Sequence, residues 1–282
     1  MLAIAEHTFY NLPKISPEEI NKGTIALIGS RIETSSIHKA YGVKNAAEIL
    51  RRVSVEYVGY IDYKRSIVND YDVVDLGDFD AEQIGEVVKN VVDRGGIPFV
   101  IGGDHATTFF ATRYIHFTNL LWLDAHLDMQ DLGDYGAARK INHANSLLQI
   151  VKHRKNLSVI VAGFRGFSTP KIELSRASKL GITYLSPEEI RGNLRYYLAK
   201  AQVISMDLDF FDATEFRSTR VPEINGYKVN EFVHVIANTE LRDIKYFDIV
   251  EYCPEIDIGF VDAKILVQII PLIIGRIIDG MF

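Results

Sequence analysis

The chain has 282 residues, 48% hydrophobic and 24% charged, a balance that excludes disorder, collagen-like repeats and a coiled-coil rod. Its 31 basic and 37 acidic residues leave a net charge of −6, which argues against a nucleic-acid partner because phosphate binding needs a basic surface. The single cysteine, Cys253, cannot form an internal disulfide and points to a reducing, cytoplasmic setting.

The N-terminal stretch MLAIAEHTFYNLPK has no basic n-region, and Glu6 and His7 break its apolar run, so no targeting segment is expected. Short apolar runs then follow at residues 24–30, 72–78, 97–105, 120–128, 157–163, 201–209 and 246–252. Continuous apolar runs without alternation suit strands buried on both faces, as in a parallel sheet. Amphipathic stretches at 81–95 and 186–201 predict helices between them, the second opened by Ser186 as N-cap with Pro187 and Glu189 behind it. The most hydrophobic segment, 265–278, is interrupted by Gln268, Pro271, Gly275 and Arg276. It falls short of the roughly 18 residues a membrane span needs, so a buried terminal helix or a subunit contact is expected and no membrane partner. No repeat or linker divides the chain, and strand–helix alternation predicts one doubly wound α/β domain over 1–282.

Four of these strands run into polar residues that a buried strand does not normally carry. The run at 97 ends in Gly102, Gly103, Asp104 and His105, and the run at 120 in Asp124, Ala125, His126, Leu127 and Asp128. The run at 201 ends in Asp207, Leu208 and Asp209, and the last in Glu251. Carboxyl ends of parallel strands share one edge, where ligands bind. Side chains at i, i+2 and i+4 of an extended strand share a side, which predicts that Asp124, His126 and Asp128 project together, as do Asp207 and Asp209. Such a cluster repels itself without a counter-charge, and an oxygen-rich set with two imidazoles favours Mn2+ over thiolate-bound zinc. Two ions would sit about 3.5–4 Å apart and activate a water between them.

The motifs IGGDHA (101–106), LDAHLD (123–128), SMDLDFFD (205–212) and VEYCP (250–254) resemble those of the ureohydrolases: arginase, agmatinase, formimidoylglutamase and their relatives. Weaker matches, VVDLGD at 73–78 and AGFRG at 162–166, extend the resemblance over most of the chain. It implies a three-layer αβα sandwich with a mainly parallel sheet, and two Mn2+ per subunit. It further implies that Asp124 and Asp207 bridge the ions, that His105 and Asp128 hold one, and that His126 and Asp209 hold the other. By the same resemblance Glu251 receives the substrate guanidinium, Asp128 passes a proton to the departing amine and His143 exchanges protons with solvent. The family also commonly forms trimers or hexamers.

The chain departs from the pattern in three places. Ala144 follows the loop histidine where glycine is usual, Gln130 stands where arginases place asparagine, and ATEFRSTRVPEINGY replaces a Gly/Pro-rich loop after Asp212. The resemblance makes the partner a small guanidino or amidino compound, with agmatine the first choice. Formimidoyl-glutamate, arginine and guanidinobutyrate are the alternatives on the same metal site, and a non-catalytic metal-binding protein is the reading from another class. A cation placed for a carboxylate, whether Arg139, Arg217 or Arg220, would favour an acidic substrate.

Overall fold

A computed structural model describes residues 7–34, 41–131 and 141–281. Eight strands form one sheet: β1 (Ile25–Ser30), β2 (Val73–Phe79), β3 (Ile97–Ile101), β4 (Asn119–Leu123), β5 (Ser158–Ala162), β6 (Thr183–Leu185), β7 (Val203–Asp207) and β8 (Tyr246–Val250). Their order is β2-β1-β3-β8-β7-β4-β5-β6, and every pairing is parallel. The seven apolar runs each hold a strand, while β6 was not expected. It has three residues, none fully buried, so it carries too little apolar signal to stand out.

The helices are α1 (Ala46–Ser54), α2 (Ile84–Asp93), α3 (Ala106–Thr112), α4 (Ser146–Lys152), α5 (Lys171–Lys179), α6 (Pro187–Ile190), α7 (Leu194–Lys200), α8 (Val229–Ala237) and α9 (Val261–Met281). The period-2 pleat divides the strand residues between two cores. Ile25, Leu27, Ile204, Met206, Phe247 and Ile249 pack towards α1, α7, α8 and α9, whereas Ala26, Ile28, Val203 and Tyr246 pack towards α2, α3 and α4. The sheet is therefore covered on both sides, which is why its strands read as unbroken apolar runs.

Two helical expectations need correction. The stretch 186–201 forms two helices: the Ser186 capping box opens α6 as read, but the chain turns at Gly192 and Asn193 before α7. The terminal helix is longer than its apolar run, and with the 3-10 turn before it the stretch Ile258–Met281 is long and apolar enough to cross a membrane. Leu266, Ile270, Ile273, Ile274 and Ile277 are nonetheless buried in the core against α1 and α8, as a core helix of that composition would be.

Sheet order explains where chemistry gathers. From β3 the chain steps outward through β1 to β2 on one side, and from β4 through β5 to β6 on the other, with β8 and β7 inserted between. The carboxyl ends of β3, β8, β7 and β4 are thus four adjacent strand ends at the topological switch, and all four polar endings flagged in the sequence sit there.

Candidate metal centre

The strand after Trp122 stops at Leu123, so Asp124, His126 and Asp128 converge through a loop and not through a pleat, contrary to the i, i+2, i+4 expectation. Asp128 takes a left-handed backbone (φ 49°) and so does Glu251 (φ 66°), conformations that cost a non-glycine residue about 1–3 kcal/mol and persist where surroundings enforce them. Asp207 ends β7, and the chain makes one 3-10 turn in which the Asp209 N–H donates to the Asp207 carboxylate at 2.9 Å. After β3, Gly102 and Gly103 also take positive φ, and a Cβ on Gly103 would lie 2.4 Å from Thr107 Oγ1 and 2.6 Å from Ser30 Oγ. Only glycine lets this turn close and present His105 at the head of α3.

His105 Nδ1 lies 3.1 Å from Asp124 Oδ2, 3.1 Å from Asp128 Oδ2 and 3.2 Å from Asp207 Oδ2. His126 Nδ1 lies 3.3 Å from Asp124 Oδ1 and 2.9 Å from Asp209 Oδ2. Two groups could therefore each hold a metal ion, His105–Asp124–Asp128 and Asp124–His126–Asp209, and Asp124 belongs to both. Asp207 stands against His105 beside the first group.

The outer nitrogens fix the tautomers. His105 Nε2 is 2.9 Å from Ser205 Oγ, which donates to buried Asp248 at 2.7 Å, and Thr108 and Tyr246 hydroxyls donate to the same carboxylate. The Trp122 ring stacks on the His105 imidazole at 3.8 Å while its Nε1–H donates to Asp124 Oδ2. His126 Nε2 is 2.9 Å from Ser168 Oγ, which donates to Glu223 at 2.7 Å. Both imidazoles thus place their N–H outward and turn a Nδ1 lone pair towards carboxylates. For His105 that Nδ1 is buried with no hydrogen-bond partner among the described residues. A lone pair facing three anionic oxygens is repulsive unless a cation stands between them, so the donor set fits a divalent metal.

Electrostatics give the same picture. Burial would lower both histidines, yet the surrounding carboxylates hold His105 and His126 well above the ordinary imidazole range. Burial and mutual repulsion raise Asp207, and burial and the Asp124 charge push Asp128 up to about 7. Burial would raise Asp124 too, but the two histidines hold it below the usual carboxylate range. With protein charges alone, the cluster draws in protons where it is short of positive charge.

A cavity of about 160 Å³ opens beside these groups, lined by His126, Asp128, Gln130, His143, Arg220 and Glu251 among others. His143 is 8% exposed and faces the cavity, positioned by the Asn142 cap, whose side chain accepts from the Ala144 N–H at 3.0 Å. Glu251 Oε1 accepts from the His105 N–H at 2.9 Å and Oε2 lies 3.2 Å from Arg220 Nε, so this carboxylate both holds the metal-facing turn and is ion-paired. Of the three cations named above, Arg217 is exposed, Arg220 is buried in the cavity wall and Arg139 lies outside the described residues. Asp104 turns away from the centre and accepts from the Thr34 hydroxyl at 2.7 Å and the Ala106 N–H at 3.1 Å. Sequence reading missed Ser205, Asp248, Ser168 and Glu223. An aspartate inside the buried run YFDIVEY was a signal for Asp248, because a buried charge needs partners.

The chain matches the arginase family over residues 23–273. It belongs to the arginase family. Its relatives include the N(1)-aminopropylagmatine ureohydrolase of Thermococcus kodakarensis, 25% identical over 260 residues that cover 86% of this chain and 86% of that one. The agmatinase of Pyrococcus horikoshii is 25% identical over 249 residues, 83% of this chain and 85% of that one. In fold the chain is similar to a crystal structure of Trypanosoma cruzi formiminoglutamase with Mn2+, with a TM-score of 0.81, 16% identity and coverage of 96% and 99%. The eight-stranded parallel sheet flanked by helices is thus the arginase-like fold, and this arginase-family chain is a metal-dependent hydrolase of linear amidines.

Proposed function

We propose that this chain binds two Mn2+ ions and hydrolyses a C–N bond of a linear guanidine or amidine. In this reading His105, Asp124, His126, Asp128, Asp207 and Asp209 would hold the ions, His105 and Asp128 on one side of the shared Asp124 and His126 and Asp209 on the other. When bound, the ions would supply Lewis acidity and lower the pKa of a water enough to make it a nucleophile near neutral pH. Glu251 orients the planar amidinium by charge-assisted hydrogen bonds, as a carboxylate fork does. Asp128 passes a proton to the departing amine, and His143, on the cavity wall, exchanges it with solvent. The observation that carries the reading is the orphaned His105 Nδ1 among three carboxylates, next to a second group that shares Asp124.

Agmatine as substrate is supported by the name of the Pyrococcus horikoshii relative, an agmatinase. A guanidino or amidino acid is the second reading, supported by Arg220 beside Glu251. Urea and ammonia release from agmatine, arginine, 4-guanidinobutyrate and formimidoyl-glutamate after Mn2+ loading tests the proposal. No turnover of any of them, or fewer than two Mn2+ per chain in the active protein, overturns it. A cytoplasmic homo-oligomer, trimer or hexamer, belongs to the same proposal, and light scattering showing a stable species near 32 kDa overturns that part.

A further inference from the structure

Glu251 already holds a guanidinium, and it is the chain's own. Arg220 Nε lies 3.2 Å from Glu251 Oε2, and Arg220 Nη1 lies 3.4 Å from His143 Nδ1. The arginine is 8% exposed and lines the cavity beside the metal centre. The pair is loosely made. Glu251 Oε1 is committed to the His105 N–H, while Oε2, Arg220 Nε and Arg220 Nη2 are buried with no hydrogen-bond partner among the described residues. A fitted guanidinium–carboxylate pair uses two parallel N–H bonds, and this contact of charges lacks that fork.

The backbone that carries Arg220 hangs between two anchors. On one side the Arg217 and Ser218 N–H groups donate to Asp262 at the head of α9, and the Cys253 N–H donates to the Ser218 carbonyl. On the other side the Ala213 N–H and Arg165 Nη2 donate to the Glu223 carbonyl. Between them, residues 219–222 make no backbone hydrogen bond among the described residues, and the buried Thr219 hydroxyl has no partner there either. The segment reaches the surface at Pro222. Few bonds have to break for so short a strap to shift, which places it at the low-stability end of local opening.

Resting on the hydrolase reading above, we propose that Arg220 is an internal competitor for the substrate: its guanidinium occupies the seat on Glu251, and an amidinium enters as Arg220 swings out. Two cations at one buried carboxylate repel each other, so occupancy is exclusive. The exchange keeps the charge of the cavity constant. The departing arginine regains water, and the incoming amidinium makes the fork that Arg220 does not. In the empty site Arg220 keeps Glu251 from being a buried charge without a counter-ion. The tethered cation acts at a high effective concentration, so apparent substrate affinity falls by the fraction of time the seat is free. The exchange takes place at the amidinium end and therefore applies to agmatine and guanidino acids alike.

The guanidinium ion is the smallest probe of that seat, used at millimolar concentrations far below those that unfold proteins. In Mn2+-loaded Arg220→Gln, KM for agmatine and for 4-guanidinobutyrate should both fall at least tenfold and kcat/KM should rise. Guanidinium chloride should raise the melting temperature of this variant but not of wild type, against sodium chloride at equal ionic strength. Adding Glu251→Gln to the same chain should abolish the rise. Arg220→Lys keeps a cation with a shorter reach, so its KM should fall less; if Arg220→Gln folds poorly, the lysine variant carries the same comparisons. An unchanged or higher KM in these variants means that Arg220 does not compete, which overturns the inference while the hydrolase reading stands. If neither compound turns over but guanidinium stabilises the Arg220 variants in a Glu251-dependent way, the hydrolase reading fails and the competition survives. No turnover and no guanidinium-induced shift defeats both.

Discussion

Ser205 Oγ stands 2.9 Å from His105 Nε2 and hands the contact on to Asp248, 2.7 Å further along. The chain of donors runs outward from the imidazole, so its inner nitrogen is left as a lone pair aimed at Asp124, Asp128 and Asp207. The serine hydroxyl therefore sets the tautomer of a residue it does not resemble in chemistry.

Ser205→Ala should remove that control. The imidazole N–H loses its acceptor and Asp248 loses one of its donors while remaining buried. Partners of this kind are worth about 10–100-fold in metal affinity. A Mn2+ titration of the variant should show a loss in that range, and affinity within twofold of wild type would refute the relay.

Gly103→Ala tests the turn that delivers His105. The new Cβ meets two hydroxyl oxygens closer than 3 Å at a φ of +74°. Strain of this type costs about 1–3 kcal/mol. Urea unfolding should show a lower midpoint and Mn2+ affinity should fall with it, because the Gly103 carbonyl also receives the Glu251 N–H. A variant of full stability would mean that the loop has room the structure does not show.

The metal-stripped protein should lose stability as pH rises. Asp128 is pushed from its ordinary value of 3.8 up to about 7, and Asp207 moves the same way. A raised folded-state pKa contributes stability that is present below the unfolded value and lost as pH climbs through the folded one. The window for Asp128 is therefore about pH 4 to 7, and the raised His105 and His126 extend the trend upward. Asp124, held low, acts in the opposite sense only at acid pH. Mn2+ replaces the missing positive charge, so the rise in melting temperature between EDTA-treated and Mn2+-loaded protein should be larger at pH 8 than at pH 5. Equal rises at both values would count against the shared cluster.

Much of this site was legible because aspartate and histidine at the ends of buried strands contradict the apolar runs before them. That contrast flagged His105, Asp124, His126, Asp128, Asp207 and Asp209 together with Asp104 and Glu251, and only the family resemblance narrowed them to a six-ligand set. How the set converges could not be read, because Asp128 reaches the centre through a left-handed backbone that no spacing rule encodes. His143 sits in a polar loop, and only tertiary packing makes it a cavity wall. Glu223 and Ser168 come from two loops far apart in sequence and meet only at His126. The break at Gly192 was foreseeable, since glycine inside a helical pattern weakens it, but Leu194, Leu198 and Ala201 continued the apolar stripe past it.

Glu251 offers the sharpest separation of roles. One oxygen accepts from the His105 backbone, a structural duty at the head of α3, and the other pairs with Arg220. Glutamine keeps an oxygen for the His105 N–H but loses the negative charge that pairs with buried Arg220, so Glu251→Gln should bind two Mn2+ and melt below wild type. Substrate capture should suffer, because a neutral amide is a poorer partner for an amidinium and a charge-assisted bond is about twice as strong. We expect kcat/KM to fall at least about a hundredfold, roughly 2.7 kcal/mol of barrier. If Glu251 served only to cap α3 and neutralise Arg220, activity would persist in the variant and the melting temperature alone would fall. Metal content, melting temperature and kinetics measured on this one substitution distinguish the two.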